Sequence, residues 1–307
     1  MFNYDQVKQF YSDDFYSPKM SQSYNYVIIT TNELENSVAS FVSWKQSIGY
    51  SVNVVTTDWI NSQYNGSDLQ ERIRNFLIDK YGEWGIEYVL LVGDVNDVPM
   101  RLCYPKANSS SNATSTDYYY ADLTGDWNSD GDSRYGEHGQ DNVDWVPEVI
   151  VGRIPWSNPS TVSSICDKLE NFERNRGAWK KNGLLLGAMS NYTNEDHKGY
   201  AKTDGASLME LHKNLIANAG GSSTTMYEKS GIDPSSYSCT IPLTHANIID
   251  EWSNNRYGMV NWWAHGSKTA AYRKYWSSDD GDEVPESSEG EFTWKSMIST
   301  GDCGSLN

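Results

Sequence analysis

Strand-like and helix-like segments alternate at short intervals through the first third of the chain, and few folds accept that order. YNYVIITT (24–31) is rich in β-branched and aromatic residues and predicts a buried strand. NELENSVASFVSWKQSIG (32–49) follows with Leu34, Val38, Phe41, Val42 and Ile48 at roughly helical spacing. Asn32 is the expected N-cap with Glu35 three residues on, and Gly49 the expected stop. YSVNVVTT (50–57) predicts a second strand and SDLQERIRNFLIDKYGEWG (67–85) a second helix, capped by Ser67 or Asp68. IEYVLLVGD (86–94) predicts a third strand. Such alternation implies a parallel, three-layer α/β sheet with connections of one hand, and a ligand site beyond the strand C-termini.

The order then breaks. Residues 95–147 form a long polar, aromatic and acidic insertion, and an insertion of that length in a compact domain is functional or held by something. VPEVIVGRIP (146–155) restores a strand, and SNPSTVSSICDKLENFERN (157–175) predicts a helix. GLLLGAMS (183–190) begins a second α/β unit, with a helix near 204–218, a strand at STTMYEK (223–229), a short helix at THANIIDEWSN (244–254) and a strand with its turn at YGMVNWWAHGS (257–267). We therefore expect an N-terminal extension (1–23), a first α/β subdomain (24–180) and a second one (181–307).

The chain has 307 residues and 38% hydrophobic content with 12 Trp and 21 Tyr, enough to build a substantial core. Its net charge of -17 and lack of a basic cluster make nucleic acid and acidic membrane surfaces poor partners. No apolar run approaches the length of a membrane span. TTNELE after the first strand is not a Gly-rich phosphate turn, and no GxSxG occurs, so neither nucleotide binding nor a familiar serine hydrolase is expected. No organic cofactor is implied.

His265 stands where the hydrophobic strand MVNWW meets Ala264, Gly266 and Ser267. There an imidazole can face a cleft and exchange protons with a thiol, while Gly266 lets a substrate approach the backbone and offers an N–H to a carbonyl. The plain alternative is a partly buried histidine in a turn. His138, His197, His212 and His245 lie in less telling contexts, and no HExxH or clustered His/Cys spacing predicts zinc. The cysteines, Cys103, Cys166, Cys239 and Cys303, include no CxxC pair. Cys166 is expected to be buried on a helix, and Cys103 and Cys239 to be buried or paired. Cys303 alone follows His265 at short range, in STGDCGSLN, with no hydrophobic strand leading directly into it.

In DWNSDGDSRYGE (126–137), Asp126, Asn128 and Asp130 alternate, Gly131 follows, and Glu137 closes a twelve-residue window. That is the oxygen spacing of a calcium loop, with Asp132 a further candidate ligand. A solvated acidic turn is the alternative. The later run DDGDEVPESSEGE (279–291) lacks the alternation and reads as a surface loop.

AHGS after a hydrophobic strand resembles the catalytic-histidine motif of the gingipain-like cysteine peptidases, in the clan that also holds caspases. YVLLVGDVNDVPMR (88–101), STDYYYADLTGDWNSDGD (115–132) and VPEVIVGRIPW (146–156) resemble that family's first subdomain, and the likeness runs in the same order over roughly 24–307. The resemblance implies a three-layer caspase/gingipain-like α/β fold in two consecutive subdomains, mostly parallel. It also implies a secreted or cell-surface cysteine endopeptidase, stabilised by structural calcium, that acts on protein or peptide substrates through a His–Cys dyad. His265 is then the base, Glu148 the acidic residue that approaches it, and Asp117 a carboxylate of the cleft or of its supporting loop. Trp262 and Trp263 would shape the cleft. The nucleophile is either Cys303 or a cysteine beyond Asn307, because SLN (305–307) resembles the phrase that in relatives precedes the nucleophile's strand. In the second case further C-terminal segments are missing from this chain, which alone would be inactive. The competing expectation is an inactive peptidase-like domain serving as a surface protein-binding module. Cleavage specificity stays open, since IPWSNPST after Arg153 carries no acid to read a basic residue.

Overall fold

The computed structural model describes residues 23–104 and 113–306, so the expected N-terminal extension lies almost wholly outside the described residues. Two compact units divide at Asn175 and Arg176.

The first unit is built on β1 (Tyr26–Thr30), β2 (Val52–Thr56), β3 (Tyr88–Val92) and β6 (Ile150–Ile154), all parallel in the order β2-β1-β3-β6. Helices cover both faces: α1 (Ala39–Ser47), α2 (Thr57–Gln63), α3 (Leu69–Lys80) and α4 (Pro159–Arg174). β4 (Arg101–Cys103) and β5 (Thr114–Thr116) form a short antiparallel pair inside the acidic insertion. Every residue of β1 is buried, as a central parallel strand requires. Val27, Ile29 and Leu91 pack on Ile73, Phe76 and Leu77 of α3. On the other face Ile28, Leu90 and Ile154 meet Phe41 and Trp44 of α1 and Val162 and Cys166 of α4. Caps follow chemistry. Asp68 accepts from the Glu71 N–H to start α3, and Asn158 caps α4 with Pro159 in its first turn. Asn32 does not cap a helix. Its amide bonds Asp58, a 3-10 turn (Glu35–Val38) without a side-chain cap precedes α1, and Gly49, at φ +104°, closes that helix as expected.

The second unit repeats the pattern on a parallel sheet ordered β11-β10-β7-β12, from β7 (Asn182–Gly187), β10 (Ser222–Tyr227), β11 (Ile241–Pro242) and β12 (Met259–Trp263). α5 (Gly205–Asn218) covers one face through Ala206 and Met209, and α6 (His245–Asn254) the other through Ile248. A second, antiparallel sheet was not foreseen from the sequence. β8 (Met189–Asn191), β9 (Thr203–Asp204), β13 (His265–Gly266) and β14 (Ala270–Trp276) run in the order β13-β14-β8-β9, with β15 (Phe292–Ser299) on the other edge of β14. Met297 and Ile298 of β15 join Leu184 and Leu186 in the core, which fixes the hairpin to the parallel sheet.

Candidate active site

β12 ends at Trp263, beside Gly187 at the end of β7, so the chain leaves the parallel sheet at its C-terminal edge. Two residues later His265 enters the antiparallel sheet opposite Tyr272. Ligands of open α/β sheets collect at that edge. The imidazole lies edge-on to Trp294, ring centroids 4.8 Å apart. Its Nε2 is shut off from solvent and has no hydrogen-bond partner. Burial first, and the Lys274 ammonium second, hold its pKa below the ordinary histidine value. The residue is therefore poised to be neutral, with one unmatched ring nitrogen.

Trp262 and Trp263 are both well exposed beside it. Trp262 tilts against Trp252, and the Trp263 indole N–H donates to the Ser190 hydroxyl. A side chain at Gly266 would meet open space, and its φ is not left-handed, so neither packing nor backbone geometry requires glycine there. Gly205 differs, because a Cβ there would strike Trp263 at 2.6 Å.

Cys303 lies in a short turn after β15, exposed, with its thiol directed at the Ser299 carbonyl oxygen 3.6 Å away. The eight-residue strand β15 ends at Ser299, short of Cys303, and it is antiparallel and belongs to the hairpin sheet. Its neighbour Asp302 accepts from Ser299 and pairs with His245 at 3.2 Å. Among the described residues no cysteine sulfur is hydrogen-bonded to His265. All the cysteines are free, and Cys103 and Cys166 are buried. An open groove of about 800 Å³ runs past His245, Tyr272, Tyr275, Lys295 and Asp302, but neither His265 nor Cys303 lines it.

In the first unit Glu148 precedes β6 rather than opening it. Its carboxylate accepts from the Leu123 and Thr124 N–H groups and from the Thr124 hydroxyl. Asp117 forms a bidentate pair with Arg153, both contacts 2.7 Å, and Arg153 also donates to the Gly93 and Val98 carbonyls. That carboxylate locks the loop at the sheet's C-terminal edge.

In the acidic insertion, carboxylate oxygens of Asp130, Asp132 and Glu137 lie within 4.8 Å of one another, and Glu137 is buried. The side-chain oxygen of Asn128 is buried without a partner, which a cation would satisfy. Gly131 turns at φ +74°. Asp126 stands outside the carboxylate group, accepting from the Asn128 N–H and bridging to Asn142 through its backbone. The donor set is all oxygen, as a hard divalent cation such as calcium prefers.

Comparison with known sequences decides the kinship. A profile of peptidase family C25 matches residues 19–293. The chain belongs to peptidase family C25. Gingipain R1 of Porphyromonas gingivalis is 25% identical over 262 residues, covering 83% of this chain and 22% of its own length. Gingipain R2 of the same organism is 25% identical over 250 residues, 80% of this chain and 28% of its own. The chain thus spans less than a third of the curated relatives it matches. The crystal structure of the Arg specific cysteine proteinase gingipain R (RGPB) superposes with a TM-score of 0.55 at 21% identity, over 83% of this chain and 50% of that one. The complex of Porphyromonas gingivalis RgpB pro- and mature domains gives 0.54 at 21%, over 80% and 49%. At that identity the structural likeness establishes the fold, a gingipain-like α/β architecture.

Three residues around His265 escaped the sequence reading: Trp294 of β15, Lys274 of β14, which pairs with Trp294 across the ladder, and Glu195 in the 3-10 turn after β8. Residues 277–291 separate β14 from β15 in the sequence. A weak signal existed in the charged pair Arg273–Lys274 inside a strand otherwise made of alanine and aromatic residues.

Proposed function

We propose that this chain carries the histidine half of a cysteine endopeptidase centre acting on protein or peptide substrates. The observation that carries the reading is His265 at the C-terminal edge of a parallel sheet in a C25 chain, held toward neutrality, with a ring nitrogen lacking a partner. A neutral imidazole there takes the thiol proton, the thiolate attacks the scissile carbonyl, and the imidazolium returns the proton to the leaving amine. The Gly266 N–H is offered to the oxyanion.

Cys303 is one source of the thiol. A second source is favoured by the sheet itself. β12 pairs with β7 on one side, and among the described residues no strand pairs with its other side, so a further parallel strand there would deliver a thiol beside His265. The oxygen cluster of Asp130, Asp132 and Glu137 with Asn128 would hold calcium and keep the acidic insertion ordered. A secreted or cell-surface location belongs to the same reading and rests on the family likeness. No described helix is long and apolar enough to cross a membrane.

The second functional reading, an inactive peptidase-like domain that binds proteins, is favoured by the direction of the Cys303 thiol, toward the Ser299 carbonyl. Peptide hydrolysis by the complete protein and by its His265→Ala variant separates the two. Loss of about 10³-fold or more in kcat/KM supports the peptidase. Equal rates, or no hydrolysis by either with retained protein binding, support the binding module.

A further inference from the structure

An ion pair is buried in the second unit beside the histidine. Lys274 Nζ bonds a Glu195 carboxylate oxygen, and the side chains are only 4% and 8% exposed. The other Glu195 oxygen accepts from the Tyr192 N–H. Replacing a buried pair by apolar groups is often neutral or stabilising, so its presence is weak evidence of a purely structural purpose. Its position is more informative. The Lys274 ammonium lies 4.9 Å from the ring centroid of Phe292 and 5.7 Å from that of Trp294. Trp294 is the ring against which His265 rests. One indole therefore touches the imidazole and also takes a cation contact from Lys274, a few residues along β14 from His265's partner Tyr272.

We propose that Lys274, held by Glu195, is a positioning residue for His265 and acts through Trp294. The ammonium fixes the indole, the indole fixes the imidazole plane and excludes water from Nε2, and the nearby positive charge disfavours a second one on the ring. The other charges near His265 do not do this. Arg273 on β14 is paired with Glu228 and its guanidinium lies over Tyr275, not over Trp294. Lys295 on β15 is exposed and lines the open groove, and Lys268 in the β13–β14 turn is exposed. Met189 and Ser190 of β8 bring no charge. The catalytic meaning of this arrangement rests on the peptidase reading, but the coupling itself does not.

The test is an NMR titration of the His265 Hε1 proton, assigned by its loss in His265→Gln. Replacing both charges, Lys274→Met with Glu195→Gln, is expected to raise the His265 midpoint, because Lys274, which lowers it, acts more strongly than Glu195, which raises it. Lys274→Arg keeps the charge and should restore a titration close to the parent's. Trp294→Leu keeps the ion pair, and should remove the ring-current shift of Hε1 and raise the midpoint as water enters. Should the double variant not fold, the Trp294→Leu and Lys274→Arg arms still decide. An unchanged midpoint in the folded double variant, or an unchanged Hε1 shift and midpoint in Trp294→Leu, overturns the proposal. In the complete protein the acid limb of kcat/KM should move with the NMR midpoint. A midpoint that moves while the limb stays would leave Lys274 as positioning residue and count against His265 as the base.

Discussion

His265 is depressed below its ordinary value near 6.5 mainly by burial, with Lys274 as the second cause. The folded state thus favours the neutral ring, while the unfolded chain binds the proton more readily. Stability from this residue is present in full above about pH 6.5 and is lost as pH falls through the lower folded-state value. Denaturant unfolding of the parent and His265→Gln between pH 5 and 8 checks this, since the variant's curve should be flatter on the acid side. Gly266 supplies a second prediction at this scale. Because a side chain there meets open space, Gly266→Ala should leave Tm nearly unchanged and impair turnover by crowding the approaching backbone. A large stability loss would show instead that the glycine serves the fold. Neither property was legible in NWWAHGS. The motif marked the histidine and its strand, but the partners that tune the ring come from β14, β15 and the turn after β8.

At the scale of elements, the acidic insertion and the Asp117–Arg153 pair make opposite predictions about ions. Calcium at about 100 times its Kd should stabilise the first unit by about 2.7 kcal/mol. Asp130→Asn together with Glu137→Gln should abolish the gain, measured as the Tm difference with calcium and with chelator. A Tm indifferent to calcium would return 126–137 to a solvated acidic turn. Asp117→Asn leaves Arg153 facing two carbonyls without its carboxylate, and Arg153 is only 10% exposed. A loss of about 3 kcal/mol is expected by chemical denaturation, because removing one partner of a buried pair strands the other. The grouping of Asp130, Asp132 and Glu137 was legible because the three are local, and β1 and β3 were legible because nearly all their residues are apolar. It hid the antiparallel sheet, whose strands β8, β9 and β13 have three residues or fewer, too short for alternation to register. The Asn32 cap failed for a tertiary reason. Its amide is engaged by Asp58, and the chain makes a 3-10 turn before α1 begins.

On the scale of the molecule, two α/β units follow one another, each with its own core, and the division at Asn175/Arg176 lies a few residues before the break expected near 177–183. The family was legible because several weak phrases occur in the family's order, and the C25 match over 19–293 establishes it. What could not be read was the place of Cys303, which follows an antiparallel strand that no local pattern announced. The central claim is that His265 activates a thiol. Its most direct test is to treat the calcium-loaded complete protein and its His265→Ala variant with peptidyl ketone probes directed at cysteine, and to map adducts by mass spectrometry. The account predicts a single modified cysteine whose labelling vanishes in the variant. Labelling that persists undiminished without the imidazole, or no labelling of a protein whose cysteines still react with a simple alkylator, would contradict it.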